Sequence, residues 1–135
     1  MVELKGYKIN SISFENKVQN GTQLKLQNQF KYNVNYIGSQ NKCLGILEFR
    51  VADADMNPFE IKIEMVAEFT YGDEDDKADI HVISFDQMFP FLRQAINNIT
   101  SLSGMPGLLI PIVKLKKESV SVRKSGEDGE NPLNL

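Results

Sequence analysis

The chain has 135 residues, 41% of them hydrophobic, which suits one domain with its own core and no need of metal or disulfide support. Its net charge of −3 excludes a binder held to nucleic acid by phosphate contacts. Cys43 is the sole cysteine, which excludes an intramolecular disulfide or a cysteine-based metal cluster and points to a cytoplasmic setting, and the longest apolar run, 108–113, is far too short to span a bilayer.

Residues 1–5 carry no signal-peptide core. A first strand is predicted from Leu4 to Phe14. Tyr7 and Ile9 alternate in one phase, Ile12 and Phe14 in the other, and a bulge near Asn10 would return all four to one face. Asn16 to Thr22 is a polar connection. The second strand has the cleanest pattern. Leu24, Leu26, Phe30, Tyr32, Val34 and Tyr36 hold even positions, interrupted only by Asn28, while the odd positions are polar. Cys43, Gly45, Leu47, Phe49 and Val51 mark a third strand, and Phe59 to Tyr71 a fourth. Clean alternation implies one buried and one wet face, hence an antiparallel sheet. The last three strands form a meander whose edge the first can join.

Asp73 to Asp76 ends the sheet and opens a polar link. Pro90 suits the first turn of a helix, and Met88, Phe89, Leu92, Ala95, Ile96, Ile99 and Leu102 recur at helical spacing as far as Ser103. Its other face, Gln94, Asn97, Asn98, Thr100 and Ser101, is polar but uncharged, with Arg93 the only charge between Phe89 and Ser103. A solvated face normally carries Lys and Glu pairs, so this one reads as half-buried against a second copy. Gly104 stops the helix. Residues 105–113 follow, greasy and extended, with Pro106 and Pro111 forbidding a helix and disfavouring a central strand. Ser119 to Val122 alternates as a short strand would, and 123–135 has the composition of a disordered acidic tail. The architecture is α+β: a four-stranded antiparallel sheet with a long helix from the C-terminal half packed on it, over residues 1–122.

No catalytic pattern emerges. His81 lacks a nucleophile or carboxylate partner in its vicinity. Cys43, on an alternating apolar face, reads as core. Asp73 to Asp76 and Asp53-Ala54-Asp55 read as solvated turns without calcium-loop spacing. Met105, Leu108, Leu109 and Ile110 lie outside regular structure and suit the wall of an adaptable apolar groove. A small-ligand or lipid carrier, with a curved sheet closed by the helix, and a structural subunit covered by a partner are the competing readings.

Met88-Phe89-Pro90-Phe91-Leu92-Arg93, with Ile96 and Ile99, then Gly104-Met105-Pro106-Gly107-Leu108-Leu109-Ile110-Pro111-Ile112, resembles the SecB protein-export chaperone family. Asn10 to Glu15 is similar to that family's first strand. The resemblance spans roughly residues 4–113 and implies a cytoplasmic bacterial holdase. Such a protein is not an enzyme, needs no cofactor or metal, and inserts into no membrane. It would assemble as a homotetramer or dimer and bind unfolded or export-bound polypeptides, or one dedicated partner such as an antitoxin. It assigns Phe14, Met105, Pro106, Leu108, Leu109 and Ile110 to client binding, Arg93, Gln94, Asn97 and Asn98 to assembly, and Glu15 to the SecA motor. The chain departs from the family in its short loop after the first strand, in Ser11 and Lys62 where acids are expected, and in having no evident second helix.

Overall fold

The computed structural model describes residues 1–38 and 40–119. Four strands, β1 (Glu3–Asn16), β2 (Leu26–Ile37), β3 (Lys42–Asp53) and β4 (Phe59–Thr70), precede one long helix, α1 (Lys77–Leu102). The strands pair antiparallel in the order β1-β4-β3-β2, so β2 to β4 form the expected meander and β1 joins it beside β4. The register of β1 slips between Ile9 and Ser11, as the phase change predicts, and once more between Leu4 and Gly6. The slip at Asn10 keeps Tyr7, Ile9, Ile12 and Phe14 opposite Ala67, Met65, Ile63 and Ile61, all on the helix side. Strand β2 starts at Leu26, two positions later than its alternation suggests.

The helix differs from the sequence expectation. It begins at Lys77, not at Pro90, and His81 therefore lies within it. The acidic run does more than link. Asp76 is the N-cap, its carboxylate accepting the Asp79 N–H at 2.8 Å. Ile80, Ser84, Phe85 and Met88 then continue the buried stripe into Phe89, Leu92, Ile96 and Thr100. Pro90 sits on the exposed side, and its missing N–H leaves the Asp86 carbonyl without its regular i+4 partner. At the other end Gly104 takes φ +96°, and its N–H bonds to the Ser101 carbonyl at 3.2 Å. Beyond, residues 105–116 are extended and unpaired in any sheet. Lys117–Ser119 form a 3-10 turn; of the short strand expected over Ser119 to Val122, only Ser119 is among the described residues. Residues 120–122 and the 123–135 tail lie outside the described residues.

The core is a single helix-on-sheet layer. Phe85 stacks on Phe89 at 5.1 Å and meets Phe30 at 5.5 Å, and Phe89 meets Phe49 at 5.8 Å. Leu47, Met65, Phe69, Met88 and Leu92 fill the space around them with no exposure. Tyr32 carries its hydroxyl into this layer from the sheet and hydrogen-bonds to the buried Ser84 of the helix. The ring crosses Gly45 of β3. A Cβ there would collide with the Tyr32 hydroxyl and lie 3.0 Å from Phe69. Gly45→Ala should therefore destabilise the fold by about 1–3 kcal/mol through overpacking. Adding Tyr32→Phe should recover part of the loss in denaturant unfolding, since it removes the closest clashing atom. Equal stability of wild type and Gly45→Ala would refute the account.

Candidate functional site

The buried polar residues are structural. The Ser84 hydroxyl reaches Tyr32 and the backbone carbonyl of His81 at 3.1 Å, not the imidazole, so no nucleophile–base pair is formed there. The His81 ring stands edge-on to Tyr32 at 5.0 Å. Cys43 is fully buried, and burial pushes its thiol up to about 12, which keeps the reactive thiolate scarce. Asp53 accepts the N–H groups of Lys25, Asp55 and Asn57 and the Asn57 amide, and so pins the β3–β4 turn to the start of β2. These bonds, the Asn57 N–H foremost, hold its carboxyl below the usual range.

The segment after the helix is the distinctive surface. It runs back along α1 as a strap. Arg93 Nε donates to the Ile110 carbonyl at 2.8 Å, the Leu108 N–H donates to Thr100 Oγ1 at 2.7 Å, and Asn97 Nδ2 reaches the Leu108 carbonyl at 3.4 Å. Lys114 pairs with Asp86 at 3.7 Å, and Lys117 with Asp79 at 3.0 Å near the helix start. Side chains one helical turn apart thus read the backbone of an extended chain, which no sheet ladder supports. Gly107 permits the approach: a Cβ there would lie 2.5 Å from Ser101 Oγ and 2.7 Å from Asn97 Nδ2.

Six residues were assigned to client binding from sequence, and the strap sorts five of them. Ile110 is core, 2% exposed. Leu108 and Met105 are half-buried, Pro106 is exposed, and Leu109 faces outward at 67% exposure. Phe14, the sixth, is half-buried on β1, edge-on to Phe59 at 5.8 Å. Sequence reasoning did not single out Ile112, 63% exposed, or Leu102, 87% exposed. Each looks like a core residue until the strap's direction is known. Tyr7, Ile12 and Phe91 add partly open apolar surface on the β1 side of the helix, with Tyr7 and Phe91 in ring contact at 4.8 Å.

The four residues assigned to assembly divide as well. Arg93 and Asn97 hold the strap, whereas Gln94 and Asn98 face outward. With Ile83, Pro90, Phe91, Ser101 and Leu102 they make an exposed helix face free of charge.

On the helix-free side of the sheet, Glu15 lies opposite Glu60, which pairs with Arg50 at 2.6 Å and Lys62 at 3.8 Å. A shallow depression of about 480 Å³ follows, lined by Lys31, Glu48, Arg50, Lys62 and Glu64 among others. This face is mixed in charge. Between helix and sheet, where a carrier would hold its ligand, Leu47, Met65, Phe69, Phe85, Met88 and Leu92 are packed with no exposure among the described residues.

No protein-family model matches the sequence, and no curated protein matches it. The fold, however, is that of a SecB-like chaperone. The Mycobacterium tuberculosis SecB-like chaperone Rv1957, solved in complex with a ChAD peptide from the HigA1 antitoxin Rv1956, superposes with a TM-score of 0.70. The match covers 84% of this chain and 90% of that one at 12% identity. A Streptococcus agalactiae protein of unknown function superposes with a TM-score of 0.48 at 13% identity, over 83% of this chain and 98% of that one.

The half-buried imidazole has a measurable consequence. Burial disfavours its charged form and lowers its pKa from the ordinary 6.5. Between the folded and unfolded values the unfolded chain binds more protons, so the His81 contribution is complete above 6.5 and is lost as pH falls below it. Thermal melts from about pH 7 to about pH 5 should show a steeper fall for wild type than for His81→Gln. Parallel curves would contradict this placement.

Proposed function

We propose that this protein is an ATP-independent holdase that captures unfolded polypeptides on the apolar surface of the strap and the adjoining helix. The observation that carries the reading is the exposure of Leu109 and Ile112 on a segment with no ladder of its own, with Leu102 exposed at the helix end that leads into it. Large aliphatic side chains held open on a chain fixed by side-chain hydrogen bonds suit a surface that meets apolar partners. The fold shared with a chaperone solved in complex with an antitoxin peptide supports a polypeptide as the ligand. A chaperone dedicated to one partner is the narrower form of the same reading. It is separated from general holding by whether unrelated unfolded proteins are also protected. In either form the function needs no catalytic group or cofactor, and the setting is the bacterial cytoplasm. A role in export rests on Glu15 alone, which pairs with Lys17 at 3.9 Å and lies opposite Glu60 with its Arg50 and Lys62 partners, and that mixed face suits the SecA motor poorly.

Burial of client side chains on such a surface is worth roughly 25 cal/mol per Å² before ordering costs. Leu109→Ser with Ile112→Ser should leave the fold intact, since both side chains are exposed, and weaken client binding by about 1–3 kcal/mol. The measurement is suppression of light scattering by an aggregating client. Equal protection by wild type and variant would place the client elsewhere.

The uncharged outward face of α1 supports assembly of copies through their helices, as a dimer or tetramer. Exposed positions Ile83, Pro90, Gln94, Asn98 and Ser101 recur at near-heptad spacing, which suits packing against a second helix. Gln94→Glu with Asn98→Glu, which leaves the strap-holding residues untouched, should lower the mass seen by light scattering. A monomeric wild type at micromolar concentration would end this part of the proposal.

A further inference from the structure

The loop between β1 and β2, residues 17–25, is tied down at its feet and free at its tip. The Lys17 N–H donates to the Pro58 carbonyl at 2.9 Å, and Asn16 Oδ1 accepts the Val18 N–H at 3.2 Å. At the other foot the Lys25 N–H donates to Asp53 at 2.7 Å, and the Lys25 carbonyl accepts the Ala54 N–H at 2.7 Å. Val18 and Leu24 pack against the core. Between these feet Gln19 to Gln23 are exposed, and the turn is closed by the Thr22 N–H donating to the Gln19 carbonyl at 3.2 Å. Asn20 and Gly21 are the two central residues of that turn. Gly21 takes φ +85°, which is why glycine stands at its third position.

Without a side chain, Gly21 leaves its own backbone nitrogen open to the residue before it. Among the described residues neither the Gly21 N–H nor the Asn20 side-chain amide has a hydrogen-bond partner. Asn20 is the only asparagine of the chain that precedes a glycine. Every other described asparagine lies in a strand or in the helix, except Asn41 and Asn57, whose side chains are held by Asp73 and Asp53.

We propose that Asn20 is a site of spontaneous modification, in which the Gly21 backbone nitrogen attacks the side-chain carbonyl carbon of Asn20. The new C–N bond closes a five-membered succinimide, the Cγ–Nδ2 bond breaks, and ammonia leaves with the proton that the Gly21 nitrogen gives up. Water then opens the ring. Opening at the side-chain carbonyl gives aspartate, and opening at the main-chain carbonyl gives isoaspartate, in which the backbone runs through the former side chain. The sum is ammonia lost and water gained, with no oxidant, cofactor or enzyme. A neutral amide becomes a carboxylate, so the net charge of −3 becomes −4. The tethered feet confine the change. The extra backbone carbon of isoaspartate falls in an exposed tip where nothing packs on Gly21, so the fold tolerates the product and lets it accumulate. Aged molecules then carry a further negative charge on the loop that follows Asn16, whose amide touches Met105 at the root of the strap at 3.8 Å. The site goes beyond the holdase reading and stands independently of it.

The test incubates the full chain in neutral buffer for several days and follows it by ion exchange and tryptic mapping. Lys17 and Lys25 bracket the site, so the tryptic peptide 18–25 reports on it alone. An acidic form should accumulate, with ammonia lost and water gained in that peptide, both isoaspartate and aspartate present, and an unchanged melting temperature. Aspartate without isoaspartate would mean direct hydrolysis and would overturn the ring-closing step. Gly21→Ala strains the turn but meets no neighbour, so the variant keeps the fold; its side chain crowds the attacking nitrogen and should slow conversion about tenfold or more. Asn20→Gln, which would have to close a six-membered ring, should keep its starting charge. Conversion at the wild-type rate in either variant, or at another asparagine while Asn20 stays intact, would count against the proposal. The synthetic peptide 18–25 gives the rate with no fold around it. The folded chain should react within about tenfold of that rate, and a greater slowing would show the tip held against ring closure and defeat the inference.

Discussion

Helix α1 is held to the sheet by a run of rings, Phe30, Phe85, Phe89 and Phe49, seated among Leu47, Met65, Met88 and Leu92. Removing one such ring from a closed core costs about 3–5 kcal/mol, a large fraction of what a domain of this size has in reserve. Each functional surface depends on this contact. With one side of the helix committed to the sheet, Arg93, Asn97 and Thr100 point along a flank where they can hold the strap. Gln94 and Asn98 are left on the third side, facing outward. The helix is in effect a three-sided post: one side meets the sheet, one holds the strap, and the third faces outward.

The strap follows a different logic from the sheet. A strand gains its hold from a ladder in which every rung is a backbone pair. Residues 105–116 instead hang from a few side chains, with Ile110 pushed into the core as the single firm anchor. Pro106 and Pro111 withhold donors that a ladder would use, and Gly107 lets the backbone lie close to the helix. The outcome is a chain placed accurately enough to display Leu109 and Ile112, yet without the ladder a strand would have.

Much of the sheet was legible. Alternation from Leu26 to Tyr36, broken only at Asn28, and from Phe59 to Phe69, broken only at Val66, reports one buried and one open face because side chains on a strand point to opposite sides in turn. The change of phase around Asn10 reported the bulge for the same reason. The helix start was misread because Pro90 is favourable in a first turn, and it hid the signals upstream: Asp76 three residues before Asp79, then Ile80, Ser84 and Phe85 at helical spacing. The client-binding assignments were harder, since hydrophobicity alone does not distinguish Ile110, which is buried, from Leu109 and Ile112, which are not. That distinction comes from Arg93 and Thr100 fixing the strap's rotation, a long-range constraint that local pattern does not contain. The outward residues Gln94 and Asn98 were separable from Arg93 and Asn97 only once the strap was in place.

Pro90 has a consequence for how the helix behaves as a unit. Geometrically α1 is continuous from Lys77 to Leu102. In hydrogen-bond connectivity it has a seam, because the Asp86 carbonyl finds no N–H at the position where Pro90 stands. On one side of the seam lie the cap at Asp76 and the Tyr32–Ser84 link to the sheet; on the other lie the three side chains that carry the strap. Lys114 bridges back to Asp86 at the seam itself. Cooperativity is weakest where a rung is absent, so the two halves of the helix are joined there chiefly by what each packs against: Ile80, Phe85 and Met88 before the seam, Leu92, Ile96 and Thr100 after it. The strap therefore depends on the packing of Leu92, Ile96 and Thr100 more than on the helix ladder that reaches back to the Asp76 cap.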